Sequence, residues 1–133
     1  MTTYIVDASV VIERLILGSY TGYARVLFQR ALGGDQFVVP EFCLLECTNV
    51  VWKHVRFQGM PPGQAKLIIK DLSALPLKRI PIKAVLNTAL EIGLTYQLAI
   101  YDSAYVALAL RSHYPLITID QPQSRAAIAE GVP

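Results

Sequence analysis

The sequence predicts an α/β fold: one domain, residues 1–133, built on a parallel central sheet of four to five short strands covered by helices on both faces. Three observations predict it. Short apolar runs of strand length alternate with longer stretches whose apolar residues recur at helical spacing, and strands separated by helices imply a parallel sheet buried on both sides. No linker, low-complexity tract or internal repeat divides the chain. At 133 residues it is long enough to bury a core without disulfides or a structural metal.

The elements follow in order. Thr3–Asp7 is a strand that runs into a helix at about 9–17. Gly18 and Ser19 break that helix, and a second extends from Tyr20 to Leu32. Gly33-Gly34-Asp35 turns the chain into the strand Gln36–Pro40. A helix over Phe42–Phe57 follows, its stripe including Cys43, Leu44, Cys47, Val50, Val51 and Val55. Glu46 falls on the margin of that stripe, where the edge of the core meets a cleft. Gly59-Met-Pro-Pro-Gly63 is a firm break. Gln64–Leu75 is helical until Pro76, and Leu77–Ile82 is extended. Lys83–Ile92 is a helix with Val85, Ala89 and Ile92 on one face and Gly93 in the terminating position. Leu94–Ile100 connects to Tyr101–Leu110, which is apolar almost all round and so the most buried helix. Tyr114-Pro115 ends it, Leu116–Ile119 is a strand, and Gln123–Ala129 is the last helix.

Four of the ten acids, Asp7, Glu46, Asp102 and Asp120, lie in stretches otherwise destined for the core. An ionised carboxylate there is costly unless paired, hydrogen-bonded or metal-bound. In an open parallel sheet, ligands collect outside the carboxyl ends of the strands, and Asp7 and Asp120 both end strands. If those strands are neighbours, two like charges share one rim and a divalent cation relieves the conflict. Oxygen donors from distant segments, with no His or Cys among them, suit Mg²⁺ or Mn²⁺. Each acid also has a plainer reading: Asp7, Asp102 and Asp120 as helix N-caps, and Glu46 as a solvated helix residue. Ser9 and Thr118, two residues from Asp7 and Asp120, are placed to orient the carboxylates or metal-bound water, or equally to make ordinary local hydrogen bonds.

The remaining composition narrows the field. The net charge is +2, but with those four acids set aside, twelve basic residues face six acidic ones, an excess that suits a polyanion. A 53% hydrophobic fraction and a mean hydropathy of +0.41 imply a subunit or partner interface. No apolar run reaches the roughly 18 residues of a membrane span, and the N-terminus lacks a signal-peptide pattern, so a cytoplasmic location is expected. Cys43 and Cys47 are expected in the core, with poor geometry for a disulfide. His54 and His113 are isolated and expected at or near the surface.

The sequence resembles the PIN-domain family, in particular the VapC-type toxins of toxin–antitoxin pairs, over essentially its whole length. The residues that carry the resemblance are Tyr4-Ile-Val-Asp-Ala-Ser9, Pro40-Glu-Phe-Cys-Leu-Leu-Glu46 followed by Asn49-Val-Val, and Leu98–Ala109 continuing to Pro115-Leu-Ile-Thr-Ile-Asp120. The resemblance implies a Mg²⁺/Mn²⁺-dependent ribonuclease in which Asp7, Glu46 and Asp102, assisted by Asp120, hold the ions. It also implies a homodimer and an antitoxin partner packed into a groove between helices, with a basic antitoxin side chain entering the acidic pocket. Substrate grip would come from basic residues such as Lys53, Arg56, Arg111 and Arg125. Two departures stand out: family members often add a short strand after the last helix, and Gln-Pro-Gln-Ser after Asp120 is less basic than is common. A non-catalytic RNA-binding or scaffold protein is the alternative. A phosphatase of the Asp-x-Asp type is disfavoured by Asp7-Ala-Ser9, and a receiver domain by the lack of a suitable late-strand lysine.

Overall fold

Ile5 and Val6 are fully buried although they point to opposite sides of their strand, and Phe37, Val38 and Val39 repeat that pattern one strand away. Both faces of the sheet are therefore covered, which is why these runs carry no polar alternation. The computed structural model describes all 133 residues. Its strands are β1 (Thr3–Val6), β2 (Gln36–Pro40), β3 (Leu77–Ile80) and β4 (Leu116–Ile117); its helices are α1 (Ala8–Leu15), α2 (Thr21–Gln29), α3 (Cys43–Gln58), α4 (Pro62–Ala74), α5 (Leu86–Tyr96), α6 (Ile100–Ser112) and α7 (Gln121–Ala129). Single 3₁₀ turns at Arg30–Gly33 and Lys83–Val85 close α2 and lead into α5.

All strands pair in parallel in the order β3-β2-β1-β4. The chain lays β2 and β3 successively on one side of β1 and then crosses to place β4 on the other. The switch point, where ligands gather in such sheets, thus lies between the carboxyl ends of β1 and β4. Asp7 and Asp120 follow those two ends.

α6 is the central helix. Every residue from Ser103 to Ala109 is buried, in keeping with its unbroken Ala, Val, Leu and Tyr content. Cys43, Cys47 and Val51 form the buried stripe of α3, narrower than the sequence suggests because Leu44, Val50 and Val55 are only half-buried. The two cysteines are free, as expected. Their mutual hydrogen bond, and then burial, push the Cys47 thiol far above its ordinary range, so it behaves as packing.

Several boundaries differ from the sequence reading. Pro61 and Pro62 do not extend the break but start α4, with Pro62 at its first position, where a missing N–H costs nothing. Gly93 does not end α5. The helix runs on to Tyr96 and closes with Gln97 in the left-handed region at φ 57°. Gly93 is glycine for another reason: a Cβ there would stand 2.9 Å from Ile100 Cδ1 and 3.1 Å from the Leu98 carbonyl, so it permits the close approach of α6. β4 is two residues long rather than four: beyond Ile117 the next amides turn to side chains, Ile119 N–H to the Ser9 hydroxyl and Asp120 N–H to the Thr118 hydroxyl. The half-empty edge of β4 is covered by the C-terminal tail, where Leu116 N–H donates to the Pro133 carbonyl at 3.3 Å and Val132 is buried.

Candidate metal centre

Asp7 is the best-held of the four acids. It caps α1, accepting from Val10 N–H at 3.2 Å, and it is 4% exposed. The Ser9 hydroxyl donates to its Oδ1 and the Thr118 hydroxyl to its Oδ2, the latter at 2.7 Å. With its proton committed to Asp7, the Thr118 oxygen accepts from Asp120 N–H at 2.9 Å. Thr118 thus orients a carboxylate, that of Asp7, 111 positions away across the β1–β4 seam, and fixes its near neighbour Asp120 through the main chain. Ser9 lies in the first turn of α1 rather than on extended chain, and its Oγ also takes a long contact from Ile119 N–H at 3.5 Å.

Asp120 caps α7, its Oδ2 accepting from Gln123 N–H at 3.0 Å. Asp102 is not a cap: α6 begins two residues earlier, with Ala99 in the capping position. Its carboxylate takes no side-chain hydrogen bond, and it sits in the first turn of α6, where the helix dipole favours negative charge. Glu46 lies in the first turn of α3, half-buried, with Oε1 accepting from the Tyr105 hydroxyl at 2.6 Å. Burial, then the nearby Cys43 and Glu46, push the Tyr105 phenol well above its usual range, so its proton stays in place as a donor.

Electrostatically the four form a closed ring. Desolvation is the first cause raising the Asp7 carboxyl above its ordinary value, with repulsion from Asp120 added and the three hydrogen bonds opposing. Desolvation likewise raises Glu46, opposed by Tyr105 and reinforced by Asp102 and Asp7. Asp102 is raised by desolvation and by Asp120. No cation answers these charges, because the one ion pair in the chain joins Arg30 to Asp35 at the amino end of β2. The donor chemistry is oxygen-only and anionic, which fits a hard divalent ion. No three of the carboxylates, however, stand as a preformed coordination group. Asp7 is fixed by three donors, whereas Asp102 is held by none at its carboxylate.

Two residues of the site escape sequence reading. Tyr105 is the one phenol on the buried face of α6, three residues beyond Asp102, while the other buried hydroxyl, Ser103, turns back to the Ala99 carbonyl; that signal is visible only once the helix is seen to be buried. Gln123 completes an Asp-x-x-Gln capping pattern with Asp120, yet its side chain does not close the box. The Asp120 N–H is already taken by Thr118, so Gln123 Nε2 donates instead to the Asp102 carbonyl at 2.9 Å. It ties the start of α7 to the start of α6, and its Oε1 is buried without a partner.

The fold and the sequence that builds it have known counterparts. A family model described as PIN domain matches residues 4–129, and the chain belongs to that family. Within it, the chain is similar to Ribonuclease VapC12 of Mycobacterium tuberculosis, 28% identical over 116 residues that cover 87% of this chain and 85% of the relative. Among solved structures it resembles Mycobacterium tuberculosis VapC20, with a TM-score of 0.69 at 14% identity, covering 98% of this chain and 99% of that one. It also resembles VapBC2 from Rickettsia felis, with a TM-score of 0.63 at 14% identity, covering 94% and 93%. At those identities the two structures attest the fold. No helix is long and apolar enough to cross a membrane.

Proposed function

We propose that this protein is a metal-dependent endoribonuclease, the toxin member of a toxin–antitoxin pair. The observation that carries the proposal is the ring of four uncompensated carboxylates at the β1–β4 switch point, in a chain whose relative VapC12 is named a ribonuclease. Asp7, Glu46 and Asp102, with Asp120, would hold Mg²⁺ or Mn²⁺. When bound, the ion supplies Lewis acidity for hydrolysis of a phosphodiester. Asp7 acts as the fixed ligand, oriented by Ser9 and Thr118, while Asp102 and Glu46 have the freedom to close on an arriving ion. Tyr105 keeps Glu46 aimed and ionised. The exposed basic side chains Lys53, Arg56, Arg111 and Arg125 supply charge for the RNA backbone.

The exposed Trp52, Phe57 and Leu67 on α3 and α4 are apolar area that a homodimer would cover, and Tyr23, Val26 and Leu17 around α2 suit an antitoxin segment. The kinship to VapC12 and the fold shared with VapBC2 support that assignment.

The test is cleavage of total RNA by purified protein with Mg²⁺ or Mn²⁺ against EDTA, alongside Asp7→Asn and Asp102→Asn. Metal-dependent cleavage lost in both variants is expected. Cleavage at the wild-type rate by either variant would refute the site, and RNA binding without cleavage in either metal would favour a binding module.

A further inference from the structure

Beside the carboxylate ring lies a separate cleft of about 560 Å³, within the roughly 300–1,000 Å³ span of small-ligand sites. Glu46 is the wall the two share. Along the same helix, Asn49 and Lys53 follow Glu46 at i+3 and i+7, so all three line one face of α3. The opposite wall is Tyr101, immediately before Asp102. The residue is 60% exposed, and its ring is braced by Phe42, whose ring centroid lies 5.2 Å away at an interplanar angle of 72°. Lys53 is exposed and pairs with no acid.

An exposed aromatic ring held at one edge, a side-chain amide and a free ammonium, contiguous with a phosphodiester-cleaving centre, is the chemistry that receives an unpaired nucleotide. A protein segment is the less favoured occupant. The groove lined by Tyr20, Tyr23, Ala24, Leu27 and Ile117 is almost wholly apolar and suits one better, whereas this cleft carries polar groups at stacking and phosphate positions.

We propose that the cleft is the nucleobase subsite of the ribonuclease, resting on the function assigned above. The base flanking the scissile phosphate stacks on Tyr101, Asn49 hydrogen-bonds its edge, and Lys53 anchors the adjoining phosphate. The susceptible bond therefore lies beside a base free to leave its helix, and Tyr101 and Asn49 set the preference at that position.

The experiment measures binding of a fluorescein-labelled single-stranded RNA oligomer by anisotropy, in Mg²⁺ and in the Asp7→Asn background so that the RNA survives. Tyr101→Ala and Tyr101→Phe are compared, and the same oligomer annealed to its complement serves as control. Tyr101→Ala is expected to weaken single-strand binding about five- to 150-fold, the range that base–aromatic stacking spans. Tyr101→Phe should restore it, and duplex affinity and Tm should not move. In the otherwise wild-type enzyme, Tyr101→Ala should lower kcat/KM on the same oligomer by a similar factor. Lys53→Gln should shallow the salt dependence of binding by about one phosphate contact.

Equal single-strand affinity for Tyr101→Ala, or an equal loss on the duplex, overturns the subsite. Loss of antitoxin binding with RNA affinity intact overturns it too and hands the cleft to a protein. A parent protein that neither binds nor cleaves RNA sinks the ribonuclease itself, whereas one that does both while ignoring Tyr101 sinks only the subsite.

Discussion

Replacing Thr118 with valine keeps the shape of the side chain and deletes one hydroxyl, and that hydroxyl has two jobs. It donates to Asp7 Oδ2 at 2.7 Å, and it accepts from Asp120 N–H at 2.9 Å. A hydrogen bond to a charged group contributes about 1.5–3 kcal/mol, and removing one partner leaves the other to bear its desolvation. Asp7 is 4% exposed, so little water can take the place of the donor. The Asp120 amide is only half-buried and adds less. Thr118→Val should therefore cost the metal-free protein about 2–3 kcal/mol. Unfolding entropy near 2.1 cal/mol/K per residue gives about 0.28 kcal/mol/K for this chain, so Tm should fall by roughly 7–11 °C. Calorimetry in EDTA measures it directly. In the Asp7→Asn background, where the acceptor is neutral, the same substitution should cost less by about 1 kcal/mol or more. A Tm within about 2 °C of wild type, or a fall of the same size in both backgrounds, would show that Thr118 does not brace Asp7.

Other consequences can be checked the same way. Asp7, Glu46 and Asp102 are all raised in the folded state, each chiefly by desolvation. Between their unfolded values and the raised folded ones, the native state holds more protons than the unfolded chain, so stability is greatest below that window and falls as pH rises through it. Metal-free protein should accordingly melt higher at about pH 4, near the unfolded carboxylate values, than at about pH 7.5, and saturating Mg²⁺ should shrink the gap; a metal-free Tm that rises over that interval refutes the ring of charge. Tyr105→Phe should lower stability by only about 1 kcal/mol because Glu46 is half-exposed, yet weaken Mg²⁺ binding about 10- to 100-fold by calorimetric titration. Gln123→Met loses the bond to the Asp102 carbonyl but also removes the orphaned Oε1, so its Tm should match or exceed wild type; a drop of several degrees would mean that Oε1 has a partner in solution.

The layout of strands and helices was legible because it is written in periodicity. β1 and β2 are buried on both faces and read as unbroken apolar runs, and α6 is apolar all round because it lies at the centre. The four acids stood out in the sequence for the related reason that charge among Ile, Val and Leu is conspicuous, and their role as ligands is a proposal. What stayed hidden depends on distance in space. That Thr118 would serve Asp7 and not its own strand follows from β4 pairing with β1, a register no local window contains. Gly93 carries the same sequence signal whether it ends a helix or admits a neighbour, and only the approach of Ile100 separates the two. Gln123 matched a capping pattern whose donor had already been claimed elsewhere, so local grammar predicted the residue and missed its partner.

The seam that joins Thr118 to Asp7 also orders events during biosynthesis. β1 is made well before β4, the strand that becomes its second sheet neighbour. At about 5–20 residues per second, roughly 6–22 s separate translation of Asp7 from translation of Thr118. Until then Asp7 lacks one of its three donors, and Asp102 and Asp120 have not yet been set side by side by α6 and α7. A growing chain thus carries the first carboxylate through that interval without the site it belongs to, and an enzyme harmful to its own cell would be inert for as long.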